Sequence, residues 1–214
     1  MTETFWLQQL QQQRAIAVIR APDFALGQQM AKAVAAGGVR LIEITWNSDR
    51  PAASIAQLKA ELPDCWIGAG TLLTLDDLQD AIAAGAQFLF SPHGDRSLIR
   101  AAAAQGLPLV PGALSPSEIV SAWQAGASCV KVFPVQAVGG ERYIRSLQGP
   151  LGQIPLIPTG GVTLTNAAAF LEAGAIAVGL SSQLFPKAAI QAGDWDAIAQ
   201  QAQGLMQQLA PFSS

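Results

Sequence analysis

The sequence predicts a (β/α)₈ barrel (a TIM barrel) formed as one domain over residues 1–214, and three observations carry that expectation. Eight short apolar runs begin near Ala15, Val39, Trp66, Gln87, Leu107, Ser128, Ile154 and Ala175, spaced 20 to 27 residues apart. Each interval holds one strand, one helix and two short loops, the repeat unit of an α/β barrel. The joints recur as well: Ala36-Gly37-Gly38, Ala84-Gly85-Ala86, Gln105-Gly106, Ala125-Gly126-Ala127 and Ala173-Gly174-Ala175 each stand just before an apolar run. Glycine there ends a helix in the left-handed conformation at little steric cost. Finally, no Gly-x-Gly-x-x-Gly follows the first run, which argues against an open doubly wound sheet.

The elements follow in order. A short helix, Thr4 to Gln13, precedes the first strand and covers the bottom of the barrel. Ala-rich stretches such as Ala25 to Ala36, Leu75 to Ala84 and Thr165 to Ala173 read as helices between strands. Thr74 before Leu75-Asp76-Asp77, Ser115 before Pro116, and Thr163 or Thr165 after Gly160-Gly161 are N-cap candidates. After the eighth strand, Pro186 to Ile190 and Asp194 to Leu209 read as two closing helices.

Composition narrows the function. Half the residues are hydrophobic and only 13% are charged, so the surface is thinly charged and inclined to self-association. A net charge of -3 gives no electrostatic reason to expect nucleic acid or an anionic membrane as partner. No apolar stretch reaches the ~18 residues that span a bilayer. Cys65 and Cys129 lie in separate apolar segments and read as reduced core thiols of a cytoplasmic protein without a signal peptide. The single histidine, His93, excludes a His-rich zinc site and reads as a loop residue lining the barrel mouth.

Two charges stand out. Lys131 is the lone charge in Ser128-Cys129-Val130-Lys131-Val132-Phe133-Pro134, an apolar run that reads as a buried parallel strand. The other three lysines, Lys32, Lys59 and Lys187, lie in polar or helical surroundings. Burial disfavours the charged form of an ammonium, and a neutral amine attacks ketones to give a Schiff base. Glu43 is likewise alone in Leu41-Ile42-Glu43-Ile44-Thr45. Two opposite charges in two buried strands share one interior, either as a structural ion pair or as a nucleophile beside a general acid/base. Their placement near strand ends, where barrel active sites lie, favours chemistry.

Other strand ends carry polar groups that a packed core would not need. Arg20 ends the first strand, Thr71 the third, Ser91-Pro92-His93 the fourth, Thr159-Gly160-Gly161 the seventh and Ser181-Ser182 the eighth. The ends of strands seven and eight form the usual barrel phosphate site, where backbone N–H groups bind an anion without a basic residue. A tight turn at Gly160-Gly161 and a helix cap at Ser182 are the structural alternatives.

Taken in order, Glu43-Ile44-Thr45, Gly68-Ala69-Gly70-Thr71, Ser91-Pro92, Pro111-Gly112, Lys131-Val132-Phe133-Pro134 and Pro158-Thr159-Gly160-Gly161-Val162 resemble the 2-keto-3-deoxy-6-phosphogluconate (KDPG) aldolase / 4-hydroxy-2-oxoglutarate (KHG) aldolase family. The resemblance implies a homotrimeric class I aldolase that needs no metal or cofactor. Its expected substrate is a phosphorylated 2-keto sugar acid, cleaved to pyruvate and glyceraldehyde 3-phosphate. It implies Lys131 as the Schiff-base lysine and Glu43 as the proton shuttle. Thr71 and Pro92 would line the pyruvate end, Phe133 would pack beside the imine, and Thr159 would face the hydroxylated part of the substrate. Gly160, Gly161 and Ser182 would bind phosphate.

One position departs from the pattern. Many members carry an arginine four residues after the glutamate, where it binds the substrate carboxylate, and here the resemblance puts Asn47 at that substrate-binding position. Glutamate followed at that spacing by Asn-Ser resembles the sister family acting on the galactonate epimer, whose members end strand one with an arginine, as Arg20 does. Arg20 is therefore the expected carboxylate clamp, since a guanidinium binds a carboxylate bidentately and Asn47 cannot. Pro158-Thr159 instead follows the gluconate pattern, which leaves the C4 epimer open. Cleavage of 4-hydroxy-2-oxoglutarate and decarboxylation of oxaloacetate would use the same imine. The remaining alternatives are a metal-dependent enzyme, disfavoured by the single histidine, and a non-catalytic barrel that binds phosphorylated metabolites.

Overall fold

The computed structural model describes residues 3–213. Strands and helices alternate along the chain: α1 (Glu3–Gln13), β1 (Ala15–Ile19), α2 (Phe24–Ala36), β2 (Leu41–Thr45), α3 (Pro51–Glu61), β3 (Trp66–Gly70), α4 (Leu75–Ala83), β4 (Leu89–Phe90) and α5 (Arg96–Ala104). Then come β5 (Leu109–Val110), β6 (Gly112–Ala113), α6 (Pro116–Gln124), β7 (Val130–Val132), α7 (Glu141–Leu151), β8 (Leu156–Pro158), α8 (Ala167–Glu172), β9 (Val178–Leu180), α9 (Lys187–Ala192) and α10 (Trp195–Leu209). None of the described helices is long and apolar enough to cross a membrane.

All strand pairs are parallel, in a curled six-stranded sheet ordered β5-β4-β3-β2-β1-β9 and a three-stranded sheet ordered β6-β7-β8. The sequence predicted one eight-stranded ladder; the structure divides it at Pro111. Proline has no N–H to donate and interrupts a ladder where it stands. On one side of it the Val110 carbonyl accepts from the Ser91 amide at 3.2 Å; the Pro111 carbonyl itself accepts from the Lys131 amide at 2.9 Å. Beyond β8, Thr159 and Gly179 form a parallel bridge.

Side-chain alternation divides the core in two, because successive residues of a strand point to opposite faces. Ile16 and Val18 of β1 join Leu41, Phe88, Phe90, Val110, Cys129, Ile157 and Ala177 on the inner face of the curl. Their chain neighbours Ala15, Ala17 and Ile19, with Ile42, Ile44, Leu89, Val130 and Val132, pack outward against the helices. Both faces are therefore apolar, as parallel strands covered by helices require. Trp6 and Leu10, one turn apart on α1 and wholly buried, belong to the inner group. The Trp6 ring stacks on Phe88 at 5.1 Å and 25°, and its Nε1 donates to Cys129 Sγ at 3.4 Å. Phe88 has room because its neighbour on the inner face is Gly68, where a Cβ would overlap the phenyl ring.

Two expected caps form full capping boxes: Thr74 with Asp77 opens α4, and Ser115 with Glu118 opens α6. The third differs. Helix α8 starts at Ala167 rather than Thr165, because Thr163 and Asn166 bond each other. The Thr163 amide donates to Asn166 Oδ1 at 2.7 Å and the Asn166 amide to Thr163 Oγ1 at 3.2 Å, a closed local turn that competes with helix.

Trp6→Ala should lower unfolding free energy by about 3–5 kcal/mol through the cavity it leaves, read from the urea midpoint. A change below about 1 kcal/mol would show that α1 does not seal the inner core.

Candidate active site

The C-terminal ends of the strands open into a cavity of about 330 Å³ lined by residues from four of the strands and by loops that follow strands. That lies at the lower end of ordinary small-molecule sites. Glu43 comes from the middle of β2 and Lys131 from the middle of β7, both on the inner face through the alternation described above. Arg20, Thr71, Pro92, Phe133, Thr159, Gly160, Gly161 and Ser182 line the same cavity. Asn47 does not: it is exposed, in the loop after β2, and absent from the lining. His93 is also exposed and outside the lining, contrary to its expected place at the mouth. Ser181 lines the cavity beside Ser182, at the strand end expected to form the phosphate site; Val18, Val162 and Gly179 line it too, and sequence reasoning assigned them no site role. Alternation from Glu43 could have found Val18, its partner in the β1–β2 register.

Glu43 is 1% exposed and Lys131 is 6% exposed, yet they do not form an ion pair. The ion pairs among the described residues, Lys32–Glu61 at 2.8 Å and Arg50–Asp49 at 3.4 Å, lie outside the cavity. Glu43 Oε1 has no hydrogen-bond partner. Burial holds the Glu43 carboxyl above the ordinary carboxylate range, against the opposing charges of Lys131 and Arg20. The space its carboxyl occupies exists because β3 supplies Gly70, where a Cβ would overlap Oε1. Lys131 Nζ lies 4.8 Å from the Phe133 ring centroid and 5.7 Å from that of Phe90.

The walls are fixed by short local contacts. Thr71 has a left-handed backbone, φ 60°, a strained state for a β-branched residue that is concentrated at functional sites. A Cβ on Gly112 would overlap the Pro92 carbonyl, so the loop after β4 presses directly onto β6. Thr159 Oγ1 fills the space over Gly179 that a side chain there would take. Gly160 and Gly161 turn the chain with φ of 81° and 103°. Arg20 sits exposed at the rim. The loop after it is tied down as the Ala21 amide donates to Ser48 Oγ at 3.2 Å, and Thr45 Oγ1 and Ser48 Oγ lie 3.1 Å apart. Ser182 is not a helix cap: its carbonyl accepts from Phe185 in a turn, and α9 begins at Lys187.

A buried amine and a buried carboxyl in one cavity, at the C-terminal ends of parallel α/β strands, define an enzyme site of TIM-like form. The family model for KDPG and KHG aldolase matches residues 7–201. The chain belongs to that family, whose members are carbon–carbon lyases. It is 37% identical over 169 residues to the 2-dehydro-3-deoxy-phosphogluconate aldolase of Dickeya dadantii (strain 3937), covering 79% of each chain. It is 33% identical over 198 residues to that of Treponema pallidum (strain Nichols), covering 92% of this chain and 94% of the other. Among solved structures, the KDPG aldolase of Legionella pneumophila, with pyruvate captured at low pH as a covalent carbinolamine intermediate, superposes with a TM-score of 0.85. That pair shares 30% identity over 92% of this chain and 95% of the other.

The raised Glu43 value has a stability consequence. The folded chain holds this proton more tightly than the unfolded one, so the contribution is complete below 4.5 and is lost as pH rises through the higher folded value. Glu43→Gln removes that titration. Its Tm, compared with that of the unsubstituted chain, should gain steadily from pH 4.5 upward. A difference in Tm that does not change with pH would refute the buried, protonated carboxyl.

Proposed function

We propose that the chain cleaves 2-keto-3-deoxy-6-phosphogluconate to pyruvate and glyceraldehyde 3-phosphate through a Schiff base on Lys131, with no metal or cofactor. The observation that carries this reading is that Lys131 and Glu43 are both buried on one small cavity without neutralising each other. The covalent carbinolamine named for the Legionella relative supports the same chemistry.

The Lys131 amine adds to the C2 ketone to give a carbinolamine, and loss of water leaves a protonated imine. Glu43 donates the proton that departs with the hydroxyl and then takes one from the C4 hydroxyl. The C3–C4 bond breaks, its electron pair moves into the imine, and the C4 fragment leaves as an aldehyde. The remaining enamine is protonated at C3 and hydrolysed to pyruvate and free amine. A carboxyl with a raised proton affinity suits both directions of transfer. Thr71 and Pro92 hold the pyruvate end, Phe133 covers the imine and Thr159 meets the hydroxylated carbons. Gly160, Gly161 and Ser182 take the phosphate, and Arg20 takes the carboxylate in place of Asn47, which lies outside the cavity. The same imine accommodates 4-hydroxy-2-oxoglutarate.

The reading extends to the whole chain as a single-domain closed barrel. The Thr159–Gly179 bridge and the one-residue step from β5 to β6 support it by linking the two sheets at both seams. A cytoplasmic homotrimer completes it, supported by the thinly charged composition.

Borohydride reduction with pyruvate should leave a stable adduct on Lys131, located by intact-mass and peptide analysis; labelling elsewhere, or none, overturns the mechanism. Lys131→Ala should lower kcat/KM by about 10⁴-fold or more, and Glu43→Gln by roughly 10²–10⁴-fold. Ser182→Ala should cost about 10-fold or more on the phosphorylated substrate and little on 4-hydroxy-2-oxoglutarate. Equal losses on both would remove Ser182 from the phosphate site.

A further inference from the structure

We infer that Phe90 is a positioning residue for Lys131: its buried ring face holds the amine at the cavity floor and favours the cationic imine that the nitrogen forms. This rests on the Schiff-base reading and adds a residue that does not line the substrate cavity. Phe90 is 1% exposed and closes β4 on the inner face, while Leu89 beside it points outward. Lys131 Nζ lies over the Phe90 ring at 5.7 Å and over the Phe133 ring at 4.8 Å. Both are within the ~6 Å at which a ring quadrupole attracts a cation.

The two rings are not equivalent. Phe133 is 36% exposed and stands on the solvent side, whereas Phe90 is enclosed by protein. Cation–ring attraction is stronger where water is excluded, so the face that matters more is the hidden one. Its orientation is fixed from below. Phe90 meets Phe88 edge-on at 5.9 Å and 82°, Phe88 stacks on Trp6 of α1, and Gly68 leaves the space Phe88 needs. A continuous aromatic column thus runs from the N-terminal helix to the lysine. Because Glu43 makes no ion pair with Lys131, these faces are the close partners that the structure gives its nitrogen. The ammonium and the protonated imine carry positive charge, and the enamine does not. The carbinolamine nitrogen is likewise uncharged, so a ring beneath it favours dehydration to the imine, the species that draws electrons from the C3–C4 bond.

The test is site-specific replacement of Phe90 in the full chain by mono-, di- and trifluorophenylalanine, which keep the ring shape while draining its negative face. The rate of carbinolamine dehydration to the imine, read in a single turnover by rapid-quench borohydride trapping, should fall stepwise, by roughly 3- to 10-fold at the trifluoro ring, with Tm and substrate KM unchanged. The same series at Phe88, which packs in the column but does not face Lys131, should leave the rate unchanged. A rate that is flat across the Phe90 series, or that falls equally at Phe88, overturns the proposal. Borohydride trapping of pyruvate on the unsubstituted chain separates the two levels. Without a Lys131 adduct the aldolase mechanism itself fails; with one, a flat series removes only Phe90.

Discussion

A carboxyl that is almost completely withdrawn from water, with one oxygen unbonded, is the constraint around which this chain is arranged. An unsatisfied buried polar group costs about 1–3 kcal/mol, and Glu43 Oε1 is such a group. The chain tolerates it by making the surroundings rigid rather than by solvating it. Gly70 clears the space, β2 is buried along its whole length between β1 and β3, and the loop after it is pinned by Thr45, Ser48 and Ala21. A satisfied carboxyl would be more stable and less able to give or take a proton.

The inner face is built in two tiers with opposite tasks. Below, Trp6, Leu10, Phe88 and Cys129 form a dry apolar base; above, Glu43, Lys131 and Thr159 turn polar atoms toward the cavity. The same alternation produces both, since Cys129, just before β7, lies two residues from Lys131 within it, as Phe88, just before β4, lies two from Phe90. Glycines at 68, 70 and 179 decide how much of the space each neighbouring side chain receives. The base thereby excludes water from the floor of the site, where water would weaken every charge interaction above it.

Much of this was legible in the sequence because lone charges in apolar runs are conspicuous. Lys131 and Glu43 stood out for that reason, and the regular spacing of eight apolar runs located the strands, with β5 and β6 together inside the fifth run. What sequence could not express was competition between local options. Pro111 lies inside one of the runs, and its missing N–H splits the ladder there. Thr163 and Asn166 satisfy each other and delay α8, although either threonine alone reads as a cap. Asn47 was placed in the site by spacing from Glu43, but the strand ends at Thr45 and the turn that follows carries Asn47 outward. Phe88 and Phe90 carry no charge or spacing that marks them in the sequence. Their relation to Lys131 depends on the curl bringing β4 and β7 across from each other, which no short-range pattern encodes.

Charge balance within the cavity gives the proposed chemistry an order. A phosphorylated sugar acid brings one carboxylate and a phosphate carrying roughly two negative charges, into a site whose lining cations are Arg20 and Lys131. Binding therefore raises the proton affinity of Glu43 in the same direction as burial, toward the protonated form. That is the form required first, because carbinolamine dehydration must protonate a departing hydroxide. Dehydration of the uncharged carbinolamine then places a positive charge at the Lys131 nitrogen, which lowers the proton affinity of Glu43 just as the C4 hydroxyl must be deprotonated. The substrate's own charges and the imine thus switch one carboxyl from acid to base in sequence. A lysine and a glutamate paired at rest would have spent that electrostatic difference before the substrate arrived.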